Sequence, residues 1–274
     1  MNPGIGTVYR WELAKLRYQK RTYLGLGAAA IVPILFVVAI HFRHHDRHGG
    51  DFAFATYLTR SGLAVPLVIM LFGAVWMFPL ITALVAGDIF ASEDHNGTLK
   101  TILTRSLERQ QIFAGKALAA LSYAIAAILL DITVAVIAGS IQSGFHSLES
   151  LSGTIVSAPK ALELVYASMA VYLMPIATVA AFGLLLSAIT RNSAAAVVGT
   201  LMISLLFQLI GILPGLGGLQ PYLLSTQFNA WQGFLRTPID WSPIVRAAWV
   251  CAMYGVPALV AAFLVFLRRD VAGG

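Results

Sequence analysis

The chain has 274 residues, of which 58% are hydrophobic and 11% are charged. Soluble domains are typically about 45 to 50% apolar and about 25% charged, so this composition excludes an ordinary soluble enzyme. The net charge of +6 comes from Lys and Arg beside apolar runs, which is typical of a membrane protein and not of a nucleic-acid-binding protein. The length predicts one polytopic membrane domain over residues 1–274, and the single cysteine, Cys251, excludes an internal disulfide.

The first predicted element is an amphipathic helix within residues 1–21. A helix would place Tyr9 and Leu13 on one stripe. Trp11 would lie on a second stripe, with Glu12 between the two. Aromatic side chains settle at the depth of lipid headgroups, so the segment predicts a helix at the membrane interface. It either anchors the first span or docks a cytoplasmic partner, and both interpretations stay open.

Six apolar runs follow, each long enough to cross a bilayer as a helix, which needs about 20 residues. The predicted spans are 22–42, 62–87, 117–141, 162–189, 194–213 and 244–267. Each span must satisfy its backbone internally, so the predicted fold class is an all-α polytopic membrane protein. The first run is too long for a signal peptide and no small-residue cleavage site follows it, so we expect it to be retained.

Lys and Arg are unevenly distributed between the two sets of loops. Twelve of the 18 flank the spans on the side of the N-terminus, the 88–116 loop and the C-terminus, and six lie on the opposite side. Loops rich in Lys and Arg stay in the cytoplasm. Both termini and the 88–116 loop are therefore predicted to be cytoplasmic.

Four histidines cluster around the end of the first span. If the helix continues past the membrane, they form two i, i+4 pairs, a spacing that can chelate a divalent metal. Arg43 and Arg47 would oppose a cation, and Asp46 is the only carboxylate in the cluster. We expect a solvated outer loop and no metal site. The weak candidate ligands are His41, His44, His45 and His48.

The loop at 88–116 between the second and third spans has its own structural pattern. Asn96-Gly97 is a turn signal, and Thr98 can cap a short helix. An apolar stripe follows at i, i+3 and i+4, beside a polar face that includes Glu93. A helix on lipid headgroups would be mostly basic, whereas four acids here match four bases, which favours docking to a protein. The stripe consists of Leu99, Ile102 and Leu103.

Asp131 lies in the middle of the third predicted span. A carboxylate there costs about 2.5 to 3.5 kcal/mol on insertion scales. Apolar neighbours each return about 0.3 to 0.6 kcal/mol, so the span still inserts. Acids inside a membrane face protein or water, which makes Asp131 a candidate functional residue. The alternative is a hydrogen bond between helices at a packing seam.

Residues 214–243 are rich in Gly, Pro and aromatic residues. Trp231, Phe234 and Trp241 stand among polar residues and predict short interfacial helices on the outer side. An aromatic belt without a gating role is the other interpretation of this segment.

The segment from Glu93 to Lys116 resembles the signature of type 2 ATP-binding-cassette (ABC-2) transporter permeases. The family pattern is an acid, then Gly-Thr-Leu, then Leu-Leu-Thr-x-Pro, then Arg, and finally Gly-Lys at the start of the third span. Ile102 and Ser106 stand where the family usually has Leu and Pro. The matching residues are Glu93, Gly97-Thr98-Leu99, Leu103-Thr104-Arg105, Arg109 and Gly115-Lys116.

The resemblance implies a membrane permease subunit of an ATP-driven exporter in the plasma membrane of a bacterium. It implies a homodimer, or a pair with a related permease, that forms the translocation pathway, in which Asp131 is a candidate. It also implies a coupling helix within 88–116 that contacts a separate cytoplasmic ATPase. The implied contacts are Glu93, Gly97, Thr98, Leu99, Ile102, Leu103, Arg105 and Arg109, with Trp11, Glu12 and Leu13 on the interface helix.

ATP and Mg are expected on the partner ATPase, and no cofactor on this chain. A phosphate-binding Walker A loop needs Gly-x-x-x-x-Gly-Lys followed by Ser or Thr. Here Gly115-Lys116 is followed by Ala117 and Gln110 replaces the first glycine, so we expect no enzymatic activity.

Two other functions have less support in the sequence. An integral membrane metal-handling protein or enzyme would use the outer histidines and Asp131, but the sequence has no HExxH and no histidine pair inside a span. An ion-coupled secondary transporter would need more than one buried charge, and it gives no reason for the pattern of the 88–116 loop.

Overall fold

The computed structural model describes residues 4–43, 55–95, 108–213 and 217–268. These residues are mainly helical. The helices are α1 (Ile5–Leu16), α2 (Lys20–Arg43), α3 (Ala55–Arg60), α4 (Ala64–Gly73), α5 (Met77–Ala86), α6 (Ala91–His95), α7 (Arg109–Ser143), α8 (Ala158–Thr190), α9 (Ser193–Ile212), α10 (Leu224–Gln227) and α11 (Ser242–Leu267). Two short strands, β1 (Leu148–Glu149) and β2 (Ile155–Val156), pair antiparallel, and 3₁₀ turns cover Gln220–Tyr222 and Ala230–Leu235.

Within the described residues, five helices are long and apolar enough to cross a membrane, namely α2, α7, α8, α9 and α11. Helices α4 and α5 can form a sixth span together, but they are bent by 64° relative to each other. The predicted span over 62–87 is therefore divided between two helices in the structure. Pro79 lacks an N–H, and its ring clashes with the carbonyl four residues earlier, which falls in the break between α4 and α5.

Helix α8 lies at the centre of the bundle, where it packs against α5, α7, α9 and α11. Helix α7 packs against α1, α2, α4 and α5 along a face rich in buried alanines. Small side chains let membrane helices approach closely. Gly115 shows the effect, because a Cβ added there would lie 2.7 Å from the Cβ of Val8 on α1. Helix α1 is thus part of the bundle packing.

The two ends of the bundle differ. The charged end carries α1, α6, the start of α7 and the α8–α9 connection. The hairpin end carries β1, β2 and the short helices of 220–235, joined by a hydrogen bond from the Leu151 N–H to the Leu235 carbonyl, 2.9 Å. Trp231 is 4% exposed there, so it belongs to the core and not to an interfacial belt, whereas Trp241 is 57% exposed.

Candidate functional site

Four charged side chains meet at the charged end, and we call them the charged cluster: Glu12 and Lys15 from α1, Glu93 from α6 and Lys116 from α7. The Lys116 Nζ donates to Glu12 Oε1 at 2.8 Å and lies 2.7 Å from Glu93 Oε1. The Lys15 Nζ donates to the same Glu93 oxygen at 2.7 Å. The cluster therefore joins three helices that lie far apart in the sequence.

The charged cluster is largely shielded from solvent. Lys116 is 0% exposed, Glu93 is 1% exposed and Glu12 is 7% exposed. The Lys116 Nζ also donates to the Ile89 carbonyl at 3.3 Å, so its three N–H groups each have an acceptor. Buried charges persist when they are paired and hydrogen-bonded. Two acids and two bases give the cluster no net charge.

Glu93 and Lys15 both have shifted pKa values, and both shifts favour the charged form of the side chain. Burial opposes ionisation of Glu93, but the ammonium groups of Lys116 and Lys15 outweigh it and lower the pKa of Glu93. Burial likewise opposes protonation of Lys15, but the carboxylates of Glu93 and Glu12 outweigh it and raise the pKa of Lys15. Glu93 and Lys15 therefore keep their charges at neutral pH.

A second buried acid, Asp88, lies where α5 leads into α6. Its Oδ1 forms an ion pair with Arg21 at the start of α2 and accepts a hydrogen bond from Ser193 at the start of α9. On α8, the Ser187 Oγ accepts hydrogen bonds from the N–H groups of Phe90 and Ala91 at 3.1 and 3.0 Å. The first residues of the 88–116 loop are thus held by α2, α8 and α9.

The C-terminal end of the same loop also contacts the bundle. Arg109, the first residue of α7, donates to the Leu267 carbonyl at the end of α11, 2.7 Å away. The Phe113 ring stacks on Phe90 with ring centroids 5.4 Å apart and meets Phe263 of α11 at 5.2 Å. The loop therefore leaves and re-enters the bundle at neighbouring points.

The structure brings some of the predicted site residues together, and one of them, Glu93, is buried. Glu93 was expected on a polar face beside the docking stripe, whereas its carboxylate is buried against Lys15 and Lys116. Glu12 joins it, while Trp11 is 49% exposed and Leu13 packs on the core. The remaining predicted residues of the loop lie outside the described residues: Gly97, Thr98, Leu99, Ile102, Leu103 and Arg105.

Sequence reasoning missed the partners in these ion pairs. It treated Lys15, Arg21 and Lys116 as topology signals, and it counted Asp88 only as part of the charge balance of the loop. One available signal was that Asp88 directly follows one apolar run and Lys116 directly precedes another. Opposite charges at the ends of adjacent spans can pair at one face of the bundle, which favours such contacts.

Asp131 lies apart from the charged cluster, inside α7. It is 0% exposed, and within the described residues neither carboxyl oxygen has a hydrogen-bond partner. The alternative that it hydrogen-bonds to a neighbouring helix is therefore not seen in this arrangement.

Of the four weak metal candidates, the structure describes His41, and the other three histidines lie outside the described residues. The His41 Nδ1 lies 3.0 Å from the side-chain nitrogen of Gln142 on α7. In the described ranges, no group of three His, Cys, Asp or Glu side chains could hold a metal ion.

Comparison with known families gives one match. The family model described as ABC-2 family transporter protein matches residues 9–207, which include most of α1, the charged cluster, Asp131 and most of α9. No curated protein matches the chain.

Proposed function

The chain belongs to the ABC-2 family of transporter proteins, and on that basis we propose that it is the permease subunit of an ATP-driven exporter. Its apolar helices and its family make it a multi-pass membrane transport permease. In the proposal a second copy, or a related permease, completes the translocation pathway. A separate cytoplasmic ABC ATPase binds ATP and Mg and hydrolyses ATP, and this chain binds no cofactor.

The proposed orientation places the charged end in the cytoplasm of a bacterial cell. It is supported by the excess of Lys and Arg on that side of the spans. Tyr18, between α1 and α2, is 89% exposed at the charged end, and Ile155 in β2 is 80% exposed at the hairpin end. Cysteines at these positions form a matched pair, because the native Cys251 is buried.

A membrane-impermeant thiol reagent tests the orientation in intact cells. The Ile155→Cys variant should react at once, and the Tyr18→Cys variant should react only after the membrane is permeabilised. Labelling of position 18 in intact cells would contradict the proposed topology.

The observation that carries the coupling proposal is the way the 88–116 loop is fastened. Glu93 near the start of the loop is paired with Lys116 at its end, and Lys116 is also paired with Glu12 on α1. Removing one partner of a buried ion pair typically costs about 3 to 5 kcal/mol, so such a junction transmits a displacement without coming apart. A push on the loop therefore moves α1, α6 and the start of α7 together.

This arrangement explains how an ATPase could drive the spans. A ligand shifts a conformational equilibrium only by its different affinity for the two states. An ATPase that binds the loop more tightly in one arrangement of the bundle would favour that arrangement, and nucleotide hydrolysis would reverse the preference.

Purification of the tagged full-length chain in mild detergent tests the proposed function. The complex should hydrolyse ATP, and the same chain stripped of its partner should not. Leu103→Asp should insert normally but lose the associated ATP hydrolysis, because a charge in the docking stripe would be buried without a partner. The control is Lys100→Ala, on the predicted polar face beside the stripe. It should keep the activity, since a pair on such a face contributes about 0 to 1 kcal/mol. Hydrolysis by the stripped chain, or full activity of Leu103→Asp, would refute the proposal.

A further inference from the structure

Asp131 is the buried acid that the proposed coupling mechanism leaves unexplained. It is 0% exposed, in the middle of a helix that spans the membrane. Within the described residues, both its Oδ1 and its Oδ2 lack a hydrogen-bond partner. An ionised carboxylate in such a place would be very unfavourable, and groups in this position neutralise instead.

No counter-charge reaches Asp131 from the described parts of the neighbouring helices. Helices α4 and α5 contain no charged residue, and Lys116 lies about four turns away along α7, or about 22 Å at about 1.5 Å per residue. The described charges on α2, α8 and α11 lie near the ends of those helices, whereas Asp131 lies in the middle of α7. Those charges are Lys20, Arg21, Lys160, Glu163 and Arg246.

The titratable group that does interact with Asp131 is Tyr172 of α8. Its hydroxyl already donates to the Met70 carbonyl of α4 at 3.1 Å. The hydroxyl proton of Tyr172 is therefore already donated to Met70, and a tyrosine side chain supplies no positive charge.

A second unsatisfied polar group lies on the neighbouring helix α8. The hydroxyl groups of Thr133 and Tyr166 are 3.4 Å apart, so the parts of α7 and α8 that contain Asp131 and Ser168 lie alongside each other. Ser168 is 0% exposed, and its Oγ has no hydrogen-bond partner among the described residues.

The chemistry of this region decides which ligand it can hold. Hard cations such as Ca²⁺ take about 6 to 8 oxygen ligands, and Mg²⁺ needs near-octahedral coordination. The Thr133 hydroxyl already donates to the Leu129 carbonyl at 2.7 Å, and Tyr172 donates to Met70. Among the described residues, no group of three His, Cys, Asp or Glu side chains is present here to hold a metal ion. A proton needs a single oxygen.

We propose that Asp131 is a proton-binding site and that proton release from it is a step of the transport cycle. The carboxyl group holds a proton in the arrangement described here. When the seam between α7 and α8 opens to water, the O–H bond breaks, the proton passes to a water molecule and the carboxylate remains. The second half of this inference rests on the proposed function, whereas proton binding does not.

Infrared difference spectroscopy of the full-length protein in lipid tests proton binding. The difference between the native protein and Asp131→Asn at neutral pH should contain the carbonyl stretch of a protonated carboxylic acid. The control is Asp240→Asn, because hydrogen bonds from Ser242 lower the pKa of this exposed acid and keep it ionised. A difference spectrum of Asp131→Asn that shows carboxylate bands alone would overturn the proposal.

Ser168→Ala serves if Asp131→Asn does not fold. It keeps the acid and removes a buried hydroxyl that has no hydrogen-bond partner among the described residues, so the carbonyl band should persist. A spectrum of Ser168→Ala without a protonated-acid band would overturn the proposal.

Thermal unfolding in increasing Na⁺ or K⁺ separates a proton site from a cation site. A ligand that binds the folded state raises Tm with its concentration. The native protein and Asp131→Asn should respond equally to either ion, and a rise confined to the native protein would overturn the proposal in favour of a cation.

Reconstitution with the ATPase tests the coupling to transport. Transport by the native complex should vary with pH, and transport by the Asp131→Asn complex should not. The infrared and unfolding measurements use neither the ATPase nor transport, so they stand even if the proposed function fails. A pH profile that Asp131→Asn leaves unchanged would refute the transport step.

Discussion

Glu93 in the charged cluster and Asp131 inside α7 are two buried carboxyl groups in opposite circumstances. Their exposures are 1% and 0%, so burial does not distinguish them. Glu93 accepts from two ammonium groups at 2.7 Å, whereas Asp131 has no partner among the described residues. Burial alone therefore does not decide the state of an acid in this protein.

The difference follows from where each acid lies along the spans. Glu93 is at the end of the bundle, where the long side chains of Lys15 and Lys116 reach inward from α1 and α7. A lysine can extend from the membrane edge but not to the centre without a large cost. The charged cluster can therefore serve as a fixed junction, while the acid at the centre is suited to bind and release a proton.

The largest expected effect comes from removing the shared cation of the charged cluster. Lys116→Met leaves Glu12 and Glu93 buried with the half-exposed Lys15 as the cation that remains in the cluster. We expect the free energy of unfolding to fall by about 3 to 5 kcal/mol. Denaturation in detergent, followed by a folding-sensitive fluorescence signal, measures the change. Lys160→Met is the control, because its ion pair with Glu163 is exposed. Equal stability of the Lys116 and Lys160 variants would show that the cluster is not a structural junction.

Replacing Asp131 is expected to change the free energy of unfolding in the opposite direction. Asp131→Leu replaces an unsatisfied polar group with an apolar one of similar shape, and this should leave the unfolding free energy unchanged or raise it by about 1 to 3 kcal/mol. The same denaturation assay compares it with Glu93→Leu, which should destabilise the protein. Marked destabilisation by Asp131→Leu would mean that the acid has a stabilising partner.

The pH dependence of stability should follow the charged cluster. The pKa of Glu93 is lowered from its usual value of 4.5, so its contribution is present above pH 4.5 and is lost as the pH falls through the folded-state value. The pKa of Lys15 is raised from 10.5, so its contribution is present below pH 10.5 and is lost as the pH rises through the folded-state value. The free energy of unfolding should vary less with pH on the acid side in Glu93→Gln than in the native protein. An equal pH dependence of the two proteins would contradict the lowered pKa of Glu93.

The smallest effect is expected for Lys15→Met. Lys15 and Lys116 both lie 2.7 Å from the same oxygen of Glu93, but the Lys15 side chain is 40% exposed and that of Lys116 is 1% exposed. Solvent screens the exposed pair, so Lys15→Met should cost about 0 to 1 kcal/mol. A loss as large as that of Lys116→Met in the same assay would show that burial does not set the strength of these pairs.

Some features of the candidate site could be predicted from local sequence and others could not. The 88–116 loop was singled out from its turn signal and charge balance. The amphipathic pattern placed Leu13 toward an apolar surface, where it does pack. The burial of Glu93 could not be predicted, because its partners, Lys15 and Lys116, lie 78 and 23 residues away in the chain and no periodicity connects them.

The sequence by itself determined that this is a helical membrane protein of the ABC-2 family, because hydropathy over about 20 residues and a local motif are properties of neighbouring residues. The bend between α4 and α5 also has a local cause in Pro79. Only the tertiary structure decided which acids are paired. Glu12 and Lys116 meet at 2.8 Å although 104 residues separate them. The free energy of a buried charge depends on the partners that packing brings to it, and packing is set by the whole bundle.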